Sequence, residues 1–554
     1  MINIKLSYNK GFNWTTNTSI SVKGYAYIGN QFLDANKIAT HVRTQQIKTV
    51  IDLKRILNKL NGHFLIRIKM GSKTLIAADR TRTFPLFYKK GLTEIMISDD
   101  INVLISEEEQ LVSLYLEEFQ SLGYVTGSNT LYDTIFQIQA GEILEIDHDK
   151  QQINTHVYFE YFHQENTGAN SSEWYHHLKT TYNNTFQRCV NSIQDRQVVI
   201  PLSGGWDSRQ ILFSLKEYGV KNLLCYSYGP QNSTDVQIAK QVVEYVGCQW
   251  VYIDYTAEKF STHYESNDMK QFLKYATGGV SLPLESDFIA IRILKKENKI
   301  DSDALIMPGY CQDMLAGNHI PYILKYDNRY SKKQILNYIE MIHFLLQRIP
   351  NNRIRNKMYQ RVIDQIPGFA DYDTFSNIET ANMIEYWDWK NRQAKFICNG
   401  VRVYEWFDLE WRLPLWDLDI ITCWQTVPTS LRANRTLFFD YFNQRYPLQF
   451  KTPPDYSDKS RLKNKIKEYM YFRPEYNPIS LLIRGLRHFK MKDAILFRNQ
   501  ILAFLQKVCQ LTSDILFLYV PRRFEVNGTP KSFSHLSKQI LVVNHINVYE
   551  SILH

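Results

Sequence analysis

The sequence predicts an α/β chain in three parts: a mainly-β N-terminal domain of α+β sandwich type, a doubly wound parallel sheet, and a helical C-terminal extension. Three observations predict it. Up to about His156, short apolar alternations are separated by turn residues, as in Gly62-His-Phe-Leu-Ile-Arg-Ile-Lys69 and Gly141-Glu-Ile-Leu-Glu-Ile146, the period of half-buried strands. Beyond residue 171, buried-strand runs alternate with helical spacing, so the strands are joined by crossover helices and are parallel. From Lys451 to Lys531, 16 Lys plus Arg stand against 7 Asp plus Glu, which concentrates positive charge in a helical tail.

Taken in order, residues 1–160 read as the sheet-rich domain. Residues 171–194 read as a helix capped by Ser172, with Tyr175, Leu178, Tyr182 and Phe186 on one face. The β-branched run Val198-Val-Ile-Pro-Leu202 is a strand, followed by a glycine turn and by Ile211, Leu212 and Leu215 at helical spacing. Leu223–Ser227 and Gln249–Ile253 are two further strands around a helix over Val236–Val246, and Ala304–Met307 adds another after a helix ending near Lys296. The stretch to Pro447 is helical and rich in Trp and Tyr. The second domain is therefore set at 171–455 and the basic extension at 456–554.

At about 150 residues per domain, 554 residues make roughly three to four units. With 44% hydrophobic and 22% charged residues, disorder and a multispan membrane protein are excluded, and a net charge of +9 over this length implies no nucleic-acid partner. Neither a leader segment over Met1–Trp14 nor an apolar run of spanning length is apparent, so a cytoplasmic location is expected. Seven cysteines without a CxxC pair support neither a disulfide framework nor a zinc ribbon. The pairs His176-His177, His156 with His163, and His545 with His554 lack ligand spacing, and no histidine metal site is expected from them.

The string that carries chemistry is Ser203-Gly204-Gly205-Trp206-Asp207-Ser208, set between a strand and a helix. Glycines admit a ligand close to the backbone, serines add donors, and free N–H groups at a helix start suit phosphate oxygens. An acid in such a turn repels a polyphosphate unless a cation bridges them, so Asp207 points to Mg²⁺.

This string resembles the pyrophosphate-binding loop of the N-type ATP pyrophosphatases. Tyr226-Ser-Tyr-Gly229 with Asp235, a second loop Pro308-Gly309-Tyr310-Cys311-Gln312-Asp313, and Arg412-Leu-Pro-Leu-Trp-Asp417 make the chain similar to the asparagine synthetases in particular. Leu60-Asn-Gly-His-Phe64, Ala77-Ala-Asp-Arg-Thr-Arg-Thr-Phe-Pro-Leu-Phe-Tyr88 and Gly141-Glu-Ile-Leu144 resemble that family's class II glutaminase domain. The resemblance implies ATP and Mg²⁺ as cofactors. Ser203, Gly204, Gly205, Asp207 and Ser208 would hold phosphates and metal, Leu202 and Tyr228 would meet the nucleoside through backbone groups, and Pro308 and Gly309 would close over the α-phosphate. Asp313 would share the metal with Asp207, and Lys451, with Lys459 as runner-up, would stabilise the leaving pyrophosphate.

Two departures refine this expectation. A class II glutaminase attacks with an N-terminal cysteine, but residue 2 is Ile and the first cysteine is Cys189, so glutamine hydrolysis is not expected. Tyr310 stands where the glutamine-dependent synthetases carry glutamate, and it resembles the β-lactam-forming branch, in which a phenol helps to deprotonate the attacking nitrogen. A phenol needs a charged neighbour for that work, with Glu340 and Glu285 as candidates; a tyrosine that merely packs is the alternative.

The expected activity is an AMP-forming carbon–nitrogen ligase that adenylates the carboxylate of a small molecule or saccharide. Its nitrogen would be ammonia or an amine, from the substrate or a separate amidotransferase subunit. The resemblance suggests amidation of a uronic acid in surface-polysaccharide synthesis; a lasso-peptide or β-lactam-type cyclase, an ammonia-dependent asparagine synthetase and a non-catalytic nucleotide-binding scaffold are the alternatives. The basic run from Arg461 and the amphipathic stretch Ile479–Phe489 leave open contact with a membrane surface, an acidic partner or a second copy, a solvated helix face being the commoner outcome.

Overall fold

The computed structural model describes residues 2–446 apart from 92–93, 167 and 256–265. The expected extension 456–554, with Lys451, Lys459, the basic run from Arg461 and the stretch Ile479–Phe489, lies outside the described residues.

The N-terminal third contains two sheets. The larger runs Gln152–Val157, Glu142–Asp147, Lys73–Ala78, Asn61–Met70, Ile20–Ile28 and Thr15–Asn17, all antiparallel, with Gln31–Leu33 also paired to Ile20–Ile28. The smaller runs Ile2–Lys5, Ile95–Ser98, Phe87–Lys90 and Ile135–Gln137. Strand alternation divides the larger sheet's core. Phe64, Ile66 and Ile68 pack with Ile38, Val42, Leu53 and Ile56 of two helices on one face, whereas Tyr25, Leu65 and Ile76 join the main core on the other. Those helices, Ala35–Thr44 and Val50–Leu57, were not delineated in the sequence; the second starts at a capping box between Thr49 and Asp52.

The second sheet is five-stranded and wholly parallel, in the spatial order Gln249–Asp254, Leu223–Gly229, Val198–Pro201, Leu305–Ile306, Glu410–Trp411. Numbered by sequence this order is 3-2-1-4-5, so the chain reverses direction across the sheet between Val198–Pro201 and Leu305–Ile306. The predicted strands are present within one or two residues of their expected ends, and Glu410–Trp411 is an addition. The preceding helix spans Ser171–Asn191, and its cap is Asn170, in a capping box with Glu173, rather than Ser172. Asn170 precedes the first helical residue and can reach the free N–H groups; Ser172 already lies inside the first turn.

The helical part includes a ten-residue π-helix, Asp388–Ile397, continuing the α-helix Asn377–Trp387. No helix of the described residues is long and apolar enough to cross a membrane.

The Arg412–Asp417 string builds the seam between the two halves. Arg412 is buried with its guanidinium over the rings of Tyr25 (4.2 Å) and Phe32 (5.0 Å). Asp417 accepts from Arg188 Nε at 2.8 Å and caps the helix Leu418–Thr426. Trp411 lies against His63 and Tyr25 of the N-terminal sheet at 5.5 and 6.0 Å.

Candidate active site

Ligands of doubly wound sheets bind outside the carboxyl ends of the strands, where the strand order reverses. Here two loops meet at that point. Val199 is in register with Ile306, so the segment Leu202–Ser208 and the segment Pro308–Asp313 leave neighbouring strands side by side. A Cβ on Gly309 would stand 2.6 Å from the backbone N of Ser208, so the second loop rests directly on the first.

The first loop exposes its N–H side. Gly205 caps the helix Trp206–Glu217 without a side-chain cap bond, which leaves the amide groups of the first turn for an anion. Arg209 donates to the carbonyls of Gly204 (2.9 Å) and Gly205 (3.0 Å), drawing them away from that side. Gly205 N donates to Ser203 Oγ at 3.1 Å, and Ser203 N to Ser208 Oγ at 3.3 Å. Gly204 passes Asp235 so closely that a Cβ would lie 2.6 Å from Oδ1. Trp206 is buried beside Phe442, ring centroids 4.3 Å apart, with Arg209 stacked on it at 4.1 Å.

Asp207 and Asp313 are neighbours. The Asp207 carboxylate accepts from the backbone N–H of Asp313 and from Arg435 at 3.3 Å. Burial pushes its pKa up to about 6, with the negative charge of Asp313 adding to the rise against the pull of Arg435. Two carboxylates beside a glycine-rich loop fit a divalent cation with oxygen ligands, as the sequence expects for Mg²⁺.

The other expected residues are distributed around this centre. The N–H of Leu202 donates to Tyr226 O at 2.8 Å and its carbonyl accepts from Ser227 Oγ at 2.7 Å. Tyr228 stacks on Tyr255 at 4.8 Å and donates to Ser286 at 3.2 Å. Pro308 accepts from Tyr310 N at 3.0 Å, which tightens the second loop. Cys311, buried and in left-handed conformation, starts the short helix Gln312–Leu315.

Two glutamates were candidates for the charged neighbour of Tyr310, Glu340 and Glu285, the second buried at the start of the helix Ser286–Lys296. Glu340 is taken by Arg355 at 3.0 Å and by Tyr359. The Tyr310 hydroxyl instead faces that of Tyr404 at 3.4 Å, and Tyr404 donates to Asp287 at 2.8 Å. Asp287 also accepts from Tyr226 at 3.1 Å. Burial holds the Asp287 carboxyl above its ordinary value, and burial together with the Asp287 charge holds the Tyr310 phenol well above 10. The three side chains thus form one buried run, Tyr310–Tyr404–Asp287.

Arg209, Asp287, Tyr404 and Arg435 escape sequence reasoning. Arg209 directly follows the Asp-Ser pair and was within reach of it; Asp287, Tyr404 and Arg435 come from distant helical segments with no local signal.

Residues 181–269 match the asparagine synthase family model. Over 203 residues the chain is 29% identical to a probable glutamine-hydrolysing asparagine synthetase of Acanthamoeba polyphaga mimivirus, covering 35% of this chain and 34% of that protein. It is also 22% identical over 250 residues to the microcin J25-processing protein McjC of Escherichia coli, covering 43% and 44%. The matched regions thus span less than half the length of either relative. Among solved structures, a glutamine phosphoribosylpyrophosphate amidotransferase from B. subtilis matches at 10% identity with a TM-score of 0.19, covering 54% of this chain and 63% of that one. A structure titled as the allosteric regulatory enzyme of purine biosynthesis matches at 11% identity with a TM-score of 0.18, covering 44% and 62%.

Proposed function

We propose that this asparagine synthetase-like chain is an ATP-dependent carbon–nitrogen ligase that joins a carboxylate to a nitrogen nucleophile, with AMP and pyrophosphate as products. The observation that carries the reading is the pairing of Asp207 with Asp313 where the two loops touch. A protein that only bound nucleotide would have no use for two mutually repelling acids beside a phosphate loop.

The substrate carboxylate attacks the α-phosphorus, the α–β phosphoanhydride bond breaks, and an acyl-adenylate forms. The amide groups at the start of Trp206–Glu217, with Ser203 and Ser208, hold the phosphate oxygens, and Pro308 and Gly309 cover the α-phosphate. Mg²⁺ held by Asp207 and Asp313 would neutralise charge on the leaving pyrophosphate. Lys451 is assigned to the same leaving group by its family position. A nitrogen then attacks the acyl carbon, AMP departs, and the surplus proton passes through Tyr310 and Tyr404 to Asp287.

The nitrogen comes from ammonia, from a separate amidotransferase or from an amine of the substrate. Residues 2–188 contain no cysteine, and burial pushes the thiol of Cys189 up to about 12. The similarity to McjC and the phenol relay favour a substrate whose own amine closes a peptide ring as the second reading, beside the uronic acid suggested by the sequence.

The test is carboxylate-dependent pyrophosphate release from Mg-ATP, with uronic acids, aspartate and acidic peptides as separate arms. One arm should release pyrophosphate, and Asp207→Ala should abolish it. ATP binding without release in any arm, a pool of cell metabolites included, would favour a nucleotide-binding scaffold. Tyr310→Phe and Asp287→Asn should each keep adenylation, read as pyrophosphate exchange, and slow amide formation by about 10²–10⁴-fold.

A further inference from the structure

Behind the second loop lies a cluster that the ligase reading does not use. His319 follows the helix Gln312–Leu315, His343 ends the helix Lys332–His343, and Asp388 opens the π-helix. One ligand atom of each lies within 4.8 Å of the other two. His319 Nδ1 contacts Asp388, and Gln393 Nε2 donates to both Asp388 oxygens at 3.3 Å. His343 is 4% exposed, and neither of its ring nitrogens has a hydrogen-bond partner.

A buried imidazole with both nitrogens unmatched carries a desolvation cost that native interiors avoid. A metal ion beside a ring nitrogen removes it.

We propose that His319, His343 and Asp388 bind a divalent transition-metal ion, zinc by its donor set, which ties the segment after the second loop to two helices. Two imidazoles and a carboxylate without thiolate suit Zn²⁺, whereas Mg²⁺ prefers oxygen ligands. Bonds of 2.0–2.1 Å in tetrahedral geometry put ligand atoms roughly 3.3 Å apart, within the 4.8 Å that the three ligand atoms now span. The His319 side chain is 13% exposed, whereas His343 and Asp388 are buried. Gln393, and Arg392 at 4.0 Å, orient the carboxylate from outside. The site does not depend on the ligase reading.

The test is Co²⁺ titration of the purified full chain after chelation. One equivalent should give visible d–d absorption that Zn²⁺ displaces, and Zn²⁺ should raise the thermal midpoint. His343→Ala and Asp388→Ala should each weaken Co²⁺ binding by about 100-fold or more, and Asp313→Ala should leave it unchanged. His319→Ala, at the least buried ligand, decides the matter if the other variants fail to fold. No absorption band, a band that survives His319→Ala, or a band lost in Asp313→Ala would overturn the proposal.

Discussion

At the scale of single residues, the site is set by close approaches and shifted protonation. Gly309 is small because the backbone of Ser208 stands where a side chain would begin. Gly309→Ala must part the two loops, and at roughly 1 Å of misplacement pyrophosphate release should fall about 10²-fold with the circular dichroism spectrum unchanged. Asp207 behaves differently from an ordinary acid. Its folded-state pKa of about 6 lies above the usual 3.8, so its ionisation costs folding stability as pH rises through that window, a cost absent at lower pH. A bound cation should offset this cost. The thermal shift produced by Mg-ATP is therefore expected to grow between pH 5 and pH 7, and Asp207→Ala should flatten that dependence.

At the scale of elements, the phosphate loop is held by the helix Thr436–Arg445. Trp206, the variable letter of the motif, is buried against Phe439 and Phe442 of that helix. Trp206→Ala should cost about 3–5 kcal/mol in denaturant unfolding. Arg432 supports the second loop in the same manner. It is fully buried, pairs with Glu385 and donates to the carbonyl of Leu315, the last residue of the helix that begins beside Asp313. Removing one partner of a buried ion pair strands the other, so Arg432→Ala is expected to destabilise by about 3–5 kcal/mol, more than an exposed Arg→Ala change. The parallel strands were legible because continuous apolar runs between turns have one good solution in a buried sheet. The helices Ala35–Thr44 and Val50–Leu57 were not, since each is only two to three turns long and its apolar side is settled only against the sheet beneath it.

At the scale of the molecule, the two sheets share one core. The inner face of the N-terminal sheet supplies Tyr25, Leu65 and Ile76 to the same cluster as Trp206, Trp411 and Ile306. Residues 171–446 produced alone would expose the apolar surface that this sheet covers, and should be insoluble or bind a hydrophobic dye, unlike the full chain. The buried histidines make the whole acid-sensitive. Burial lowers the pKa values of His63 and His163, so the unfolded chain takes up more protons than the folded one below about pH 6.5. The thermal midpoint should fall as the pH drops through that value, and His63→Gln, which does not titrate, should lessen the fall.

By itself the sequence determined the parallel sheet, the glycine-rich loop after its first strand and the second loop with Tyr310 and Asp313, because each is encoded by neighbouring residues. Only the tertiary structure decided which acid stands behind Tyr310, that Arg435 flanks Asp207, and that His319, His343 and Asp388 converge. These groups are separated by up to 228 residues of chain, as Asp207 and Arg435 are. Their meeting depends on how helices pack over the sheet, and local periodicity carries no record of that.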